Sequence, residues 1–324
     1  MMRHLAFLSS AAIIAPAVAA ATWNTDLDTA LAQAAAENKP IVLDFTGSDW
    51  CGWCITMRRE VLDTQAFLDY ARNNFVLMEV DIPRNSSKLT KKQLRQNNEL
   101  QNRYKVTKFP SVLVITAQGE LLGGFEGGRL ELAAIQGPLN QALANHRLLQ
   151  QAKNRTGIEK ARLLMEIYRN IPFSFHSRLS TLRQEIATLD AENATGIVTE
   201  QKDIETVQRI SEQTRNMSDS DAIPLLTAAL PTVNEPHKLT LRQLLTERIN
   251  NRIRHTQETA DCLSDIELMK ADNLLLIEYC VPSENKRYAI ERLNADFNNP
   301  QQILMDLRRE RQERSKYQKQ KSGL

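Results

Sequence analysis

Trp50-Cys51-Gly52-Trp53-Cys54 places two cysteines two residues apart. The apolar run IVLDF at residues 41–45 comes shortly before, and it predicts a buried strand that gives way to a helix at the cysteines. Two thiols in this position can close a small disulfide in the positive field of a helix N-terminus. A zinc site would usually need a second pair of ligands, and the other two cysteines lie more than 200 residues further along the chain. The spacing therefore favours a redox-active pair over a metal site.

Length and charge limit the classes of protein to consider. The chain has 324 residues, 42% of them hydrophobic, and a formal net charge of +2, so it is long enough for two ordinary domains. Neither half carries the excess of Lys and Arg that binding to phosphate groups requires. We therefore expect no nucleic-acid partner.

An export signal is predicted at the start of the chain. A basic start is followed by an apolar stretch at residues 5–18 and then by small residues at alternate positions. Residues 1–21 are interpreted as a cleavable signal peptide, cut after Ala19 or Ala21. The alternative is an uncleaved anchor helix, but the apolar stretch is shorter than the ~20 residues that span a bilayer. We expect a periplasmic or secreted protein with no membrane span once mature, in a compartment where disulfides persist.

Residues 22–149 are predicted to form an α/β domain. Apolar runs at residues 41–46, 75–82, 111–116 and 120–125 predict four strands, and helical patterns lie before, between and after them. The order is helix, strand, helix, strand, helix, strand, strand, helix. It predicts a central mixed sheet with helices on both faces, whose last two strands form a hairpin.

The composition changes near residue 150. Eight of the 11 glycines and all three tryptophans come earlier, and apolar residues then recur three and four apart in a polar sequence. Residues 150–307 are predicted to be an all-helical domain of five or more helices, and residues 308–324 a basic polar tail. A tail that binds nucleic acid or acidic lipid is the alternative to a solvated helix end. The predicted breaks between helices are Pro172, Pro224, Pro231, Pro236, Pro282 and Pro300.

Residues 22–149 resemble the thioredoxin-like family, in particular the exported thiol-disulfide oxidoreductases and interchange domains of bacterial cell envelopes. The resemblance covers about 40% of the chain and rests on several features in one order. These are FTGSDWCGWC with Met57 and Glu60, Asp81 at the end of the second strand, Phe109-Pro110 before the third, and Gly127-Gly128 after the fourth.

The resemblance implies an exported enzyme that exchanges disulfides with cysteine-containing client proteins. Its Cys51-Cys54 disulfide would carry the electrons without a further cofactor or a metal, and an upstream thiol-redox partner would restore it. Whether the enzyme reduces, oxidises or isomerises disulfides stays open, because Trp53 and Ile55 depart from the thioredoxin pattern in opposing directions. The helical half would bind substrate or form a homodimer. The alternative is a binding, chaperone or scaffold protein without catalysis, in which the helical half carries the function.

Three residues are predicted to carry the chemistry. Cys51, at the start of the helix and the more exposed thiol, is the expected nucleophile. Cys54, one turn later and more buried, would attack the mixed disulfide and release the client. Asp44, in the buried strand, would hold or accept a proton for Cys54, since burial disfavours its charge. The alternative is that Asp44 lies at a sheet edge or bonds to a backbone group.

Further residues are predicted around the cysteines. The resemblance implies a cis Pro110 beside the thiols, with the backbone of Phe109 offered to an extended substrate. Trp53 is the candidate for contact with substrate, whereas Trp50 is expected to pack against the domain.

Cys262 and Cys280 lie 18 residues apart in the helical half. A structural disulfide across two helices is the preferred interpretation for a protein in an oxidising compartment, and two buried free thiols are the alternative.

Overall fold

The computed structural model describes residues 21–322 of the chain. The predicted signal peptide, residues 1–21, therefore lies outside the described residues except for its last position. Among the helices that the structure describes, none is long and apolar enough to cross a membrane. The described part of the chain divides into two compact units, with the boundary between Thr195 and Gly196. The domain limits inferred from composition, at residues 149 and 307, stay predictions.

A five-stranded mixed sheet in the order β1-β3-β2-β4-β5 organises the first unit. β2 runs parallel to β3 and antiparallel to β4, and β4 pairs with β5 as an antiparallel hairpin. Every residue of β2 is buried, as expected of a central strand covered on both faces. The mixed sheet and its closing hairpin confirm the predicted fold class. The strands are β1 (Trp23–Asn24), β2 (Ile41–Thr46), β3 (Val76–Asp81), β4 (Ser111–Ile115) and β5 (Leu121–Glu126).

Side-chain caps begin four of the five described helices of the α/β part. Asp26 accepts the N–H of Thr29 to start the first helix, and Asn38 ends it in the left-handed conformation. The helix that follows the cysteines is interrupted by a π-helical turn at Arg58–Leu62. The helices are α1 (Leu27–Glu37), α2 (Gly52–Met57), α3 (Gln65–Asn74), α4 (Lys91–Arg103) and α5 (Leu132–Ala152).

The first unit continues with helices packed on α5. α6 (Gly157–Asn170) contacts both α5 and α7 (Ser180–Leu189), and a 3₁₀ helix, Phe173–Arg178, joins α6 to α7. The side chains of Tyr168 and Phe175 are fully buried there.

The second unit is all helical, as predicted. Its main core forms where α8, α9 and α10 meet, around Ile210, Leu226 and Leu245. The helices are α8 (Ile197–Thr214), α9 (Asp219–Ala229), α10 (His237–Thr259), α11 (Leu263–Cys280), α12 (Ser283–Asp296) and α13 (Pro300–Ser322). The prediction of a break at Pro224 is wrong, since this proline lies inside α9. The other five prolines precede or open a helix, or lie in a short 3₁₀ turn.

Candidate active site around Cys51 and Cys54

The loop that carries Cys51 is held between the ends of β2 and β3. The N–H of Cys51 donates to the carbonyl oxygen of Gly47 over 2.9 Å. Ser48 donates from its backbone N–H and its hydroxyl to the two carboxylate oxygens of Asp81, at 2.9 and 2.7 Å. Asp49 accepts two backbone N–H groups from the loop after β3, each over 2.9 Å. These bonds fix the start of α2 against the sheet.

Cys51 and Cys54 form a disulfide at the N-terminus of α2. Cys51 is the N-cap residue, and its Sγ accepts the backbone N–H of Cys54 over 3.2 Å. The exposed fraction is 6% for Cys51 and 2% for Cys54. Cys51 is thus the slightly more exposed residue of a buried pair, and it lies where helix N–H groups favour a thiolate over a thiol.

Asp44 lies in the middle of β2 and is 1% exposed. Its Oδ2 accepts Nη1 of Arg58 over 3.2 Å, and its Oδ1 is buried with no hydrogen-bond partner among the described residues. Burial raises the pKa of this carboxyl to about 7, although the charge of Arg58 opposes the rise. Its position is thus at the centre of the sheet rather than at an edge.

Arg58 connects Asp44 to two further carboxylates. Its Nε donates to Asp63 over 2.9 Å, and its Nη2 lies 3.5 Å from Glu79. Its guanidinium lies 4.3 Å from the centroid of the Trp23 ring. Arg58 was not predicted from the sequence. Its position one turn after Cys54 could have indicated that it pairs with the aspartate predicted in the buried strand.

The two tryptophans beside the cysteines differ in environment. Trp50 is half-buried, and its Nε1 donates to the carbonyl of Ile82 over 2.8 Å. Its ring centroid lies 5.2 Å from that of Phe109, with the two rings edge to face. It packs against the domain, as predicted. Trp53 is 60% exposed, and its ring lies over Gly128 so closely that a Cβ there would stand 2.6 Å from it. The contact of Trp53 with substrate stays a prediction.

The Phe109-Pro110 peptide bond is cis, as the resemblance implied. The carbonyl of Pro110 accepts the N–H of Gly127 over 2.9 Å, which ties the proline loop to the loop after β5. Phe109 is half-buried and contacts Trp50, so the proline loop adjoins the loop that carries the disulfide.

The predicted bridge between Cys262 and Cys280 is wrong, because both thiols are free. Cys262 caps the start of α11 and Cys280 is its last residue. A helix of 18 residues is about 27 Å long, whereas the Cα atoms of a disulfide lie within ~7 Å. The exposed Cys262 forms hydrogen bonds with Ser264 and Asp265, and the half-buried Cys280 forms one with Thr246.

Comparison with known proteins supports the fold and the chemistry together. Residues 27–136 match the family model described as a thioredoxin-like domain. The disulfide bond reductase DsbH of Chlamydia pneumoniae is 42% identical over 101 residues, which are 31% of this chain and 60% of that protein. The thioredoxin-related protein DsbJ of the same organism is 28% identical over 95 residues, 29% of this chain and 27% of that protein. The chain thus spans less than two thirds of either relative.

Two solved structures are also similar to part of this chain. A DsbH oxidoreductase is 33% identical and covers 44% of this chain and 95% of its own, with a TM-score of 0.35. A thioredoxin from Thermus thermophilus is 23% identical and covers 37% of this chain and 85% of its own, with a TM-score of 0.30.

Proposed function

Because residues 27–136 form a thioredoxin-like domain, we propose that this chain is a thiol-disulfide oxidoreductase that acts on cysteines of client proteins. The observation that carries the proposal is the Cys51-Cys54 disulfide at a helix N-terminus, in which Cys51 is the more exposed residue. Reduction is the direction to test first, since the relative with 42% identity is named a disulfide bond reductase. The intact disulfide favours exchange over the alternative of a binding or scaffold protein without catalysis.

In the reducing direction the reaction begins from the dithiol. The Cys51 thiolate attacks one sulfur of the client disulfide, a mixed disulfide forms, and the other client sulfur leaves as a thiolate. Cys54 then gives its proton to the Asp44 carboxylate and attacks Cys51 Sγ, which releases the second client thiolate and closes the Cys51-Cys54 disulfide. Two electrons pass to the client. A thiol-redox partner restores the dithiol, so the disulfide is the only redox group that the proposal needs.

Export belongs to the same proposal. The predicted signal peptide at residues 1–21 supports a periplasmic or secreted location in a bacterial cell envelope. N-terminal sequencing of the protein from the producing cell is expected to begin at Ala20 or Thr22. A chain that begins at Met1 and remains in the cytoplasmic fraction would contradict export. The helical half is proposed to bind clients or to mediate a homodimer, which light scattering of the purified chain can test.

The enzyme proposal is tested by insulin reduction with dithiothreitol. The purified chain is expected to accelerate precipitation of the insulin B chain, and Cys51→Ser is expected to abolish the acceleration. Cys262→Ser is the matched control, because it makes the same chemical change at a thiol outside the thioredoxin-like domain and is expected to behave as the wild type. Equal and negligible rates for the wild type and Cys51→Ser would overturn the proposal.

The client and the direction of electron flow need two further measurements. A Cys54→Ser variant should accumulate mixed disulfides with clients, since the resolving thiol is absent. Redox titration of the Cys51-Cys54 pair against glutathione gives its reduction potential, which determines whether the chain donates or accepts electrons in its compartment.

A further inference from the structure

A cleft of about 900 Å³ opens at the β5 end of the sheet, beside the cis-proline loop. β5 is the last strand in the sheet order, so among the described strands it has a neighbour on one side only. The cleft is enclosed by the cis-proline loop, by β5 and the loop after it, by α5, and by the chain between α6 and α7. Its walls include Phe109, Arg129, Gly137, Pro138, Ser174 and Phe175.

Glycine keeps two walls of the cleft open. A Cβ on Gly127, at the end near the cis-proline loop, would have no heavy atom within 4 Å, and the same holds for Gly137 on α5. Gly137 is followed by Pro138 inside the helix. Both residues weaken a helix interior, by roughly 1 and 3 kcal/mol relative to Ala. An occupant of the open space would explain why the helix carries two residues that weaken it at this position.

The surface of the cleft is mainly apolar, with a positive charge at its rim. Phe109, Phe125 and Phe175 form its aromatic parts. The Arg129 guanidinium lies 4.7 Å from the Phe125 ring centroid. Within residues 21–322, Nε of Arg129 is buried without a hydrogen-bond partner. Glu126 is already paired, with Arg178 at 2.7 Å and Lys108 at 3.5 Å. A ligand with an apolar group next to an acidic one fits both properties.

One end of the cleft adjoins the candidate active site. Phe109 lines the cleft and contacts Trp50, the residue before Cys51. At the same end, Gly127 adjoins Gly128, over which the exposed Trp53 ring lies. A client whose sulfur reaches Cys51 can lay its neighbouring residues on this surface. Because an extended chain advances about 3.3 Å per residue, residues only a few positions from the client cysteine reach the cleft.

We propose that this cleft binds an extended segment of the client protein, a few residues from the reactive cysteine, that carries a bulky apolar side chain next to an acidic residue. This inference rests on the proposed oxidoreductase function and adds a determinant of specificity to it. The apolar side chain enters between β5 and α5, and the acidic side chain pairs with Arg129.

The cleft surface after α6 comes from outside the family match, as do the α5 residues that face it. Pro172, Ser174 and Phe175 follow α6, whereas the matched domain ends at residue 136. The exposed Ser174 lies on the open side of this wall, and the buried Phe175 anchors it. The segment after α6 thereby gives the thioredoxin-like domain a binding surface that residues 27–136 do not provide alone.

The test compares two synthetic peptide disulfides that share the same reactive cysteine. One carries Phe-Leu-Glu three residues from the cysteine and the other carries Gly-Ser-Gly, each made with the segment on either side. The wild type is expected to have a KM at least about tenfold lower for the Phe-Leu-Glu peptide in one of the two orientations, the effect of burying one apolar side chain. Equal KM values for both sequences in both orientations would overturn the cleft proposal while leaving the oxidoreductase function standing.

Two variants close the cleft from opposite walls. Gly137→Leu adds a side chain into open space on a helical backbone, and Ser174→Trp narrows the cleft from the segment after α6. Both are expected to remove the preference for Phe-Leu-Glu, while the rate with a small disulfide such as cystine stays unchanged. Gly137→Ala is the control, since a methyl group leaves most of the volume. A preference retained in both cleft-closing variants contradicts the proposal.

A binding measurement separates the two proposals. Fluorescence polarisation follows a labelled Phe-Leu-Glu peptide without cysteine as it binds the oxidised wild type, Gly137→Leu and Arg129→Gln. Weaker binding by both variants supports the cleft even if the chain proves inactive on every disulfide. Arg129→Gln should weaken the binding of this peptide more than it weakens the binding of a peptide in which Gln replaces Glu. Equal binding by all three proteins overturns the cleft.

Discussion

Arg58 places its Nη1 atom 3.2 Å from Oδ2 of Asp44, a carboxyl that is 1% exposed at the centre of the sheet. The same guanidinium contacts Asp63 and Glu79, so one cation faces three carboxylates. The balance between burial, which raises the pKa of Asp44, and Arg58, which lowers it, leaves that pKa at about 7. We therefore expect Asp44 to gain and lose a proton near neutral pH.

Asp44→Asn is expected to change the pH profile of the resolving step. In the wild type the Asp44 carboxylate is available above pH 7 and is lost as the pH falls through about 7. The rate at which Cys54 resolves a mixed disulfide should rise as Asp44 loses its proton. If Asp44 acts as a general base, its contribution to this rate should be roughly 10²–10⁴-fold. Stopped-flow measurement on a preformed mixed disulfide is expected to show an inflection near pH 7 that is absent in Asp44→Asn. An unchanged inflection would exclude Asp44 as its source.

Asp44→Asn is also expected to make the protein more stable at alkaline pH. The folded-state pKa of about 7 lies well above the ordinary aspartate value of about 3.9, so the free energy of unfolding falls as the pH rises from about 4 to 7. Above pH 7 the free energy of unfolding of the variant should exceed that of the wild type by up to about 4 kcal/mol. Because Arg58 loses its charged partner, the measured difference should be smaller. Urea unfolding at pH 8 and pH 5 checks this. A difference that does not shrink at pH 5 would show that the titration of Asp44 is not its cause.

Arg58→Met is expected to move the pH profile in the alkaline direction. Removing this cation removes an interaction that lowers the pKa of Asp44, so the inflection should rise above that of the wild type. Arg58→Lys retains the charge and should shift it less. Arg59→Met is the control, because Arg59 is 70% exposed and pairs with Glu60 instead. A profile that stays in place in Arg58→Met would show that the ion pair does not tune Asp44.

Trp53→Ala and Trp50→Ala are expected to affect different properties. Loss of the exposed Trp53 side chain should raise the KM for a protein client several-fold, with no change in Tm or in the rate with cystine. Loss of Trp50 removes a hydrogen bond to Ile82 and the edge contact with Phe109, and it should lower the free energy of unfolding by about 3 kcal/mol. A wild-type KM in Trp53→Ala would exclude this ring from client binding.

Thiol counting tests the corrected assignment of the second cysteine pair. The unreduced protein should react with two equivalents of Ellman's reagent in denaturant, since Cys262 and Cys280 are free. Under native conditions the exposed Cys262 should react first and the half-buried Cys280 later. Peptide mapping without reduction should find Cys51 linked to Cys54. A linked Cys262-Cys280 peptide would contradict the structure.

The sequence was sufficient to predict the strands that fill the sheet. Runs such as IVLDFT have no polar face and are too short for a buried helix between breaking residues, so their assignment to β2 follows from the pattern. β1 has only two residues, Trp23–Asn24, and owes its existence to pairing with β3. No periodicity can be read from two residues, and the partner lies more than 50 residues away.

Tertiary packing explains what sequence reasoning missed. Arg58 is one of several charged residues on a surface helix, and only the position of β2 beneath it shows which carboxylate it serves. The 18-residue spacing of Cys262 and Cys280 was interpreted as a bridge across two helices. The intervening residues instead form one unbroken helix, which holds the two sulfurs apart. A pattern of apolar residues indicates that a segment is helical, but it does not show where a break between helices falls when no proline or glycine marks it.

The capping role of Cys51 links the redox state of the pair to the folding of α2. Once the disulfide is reduced, Cys51 can carry a negative charge at the helix terminus, where its Sγ already accepts the N–H of Cys54. When the helix stabilises this thiolate, the dithiol reduces a client less readily, because a dithiol stabilised in the reduced form is a weaker electron donor. A substitution that lengthens or frays the first turn of α2 would therefore shift the electron affinity of the protein without touching either sulfur.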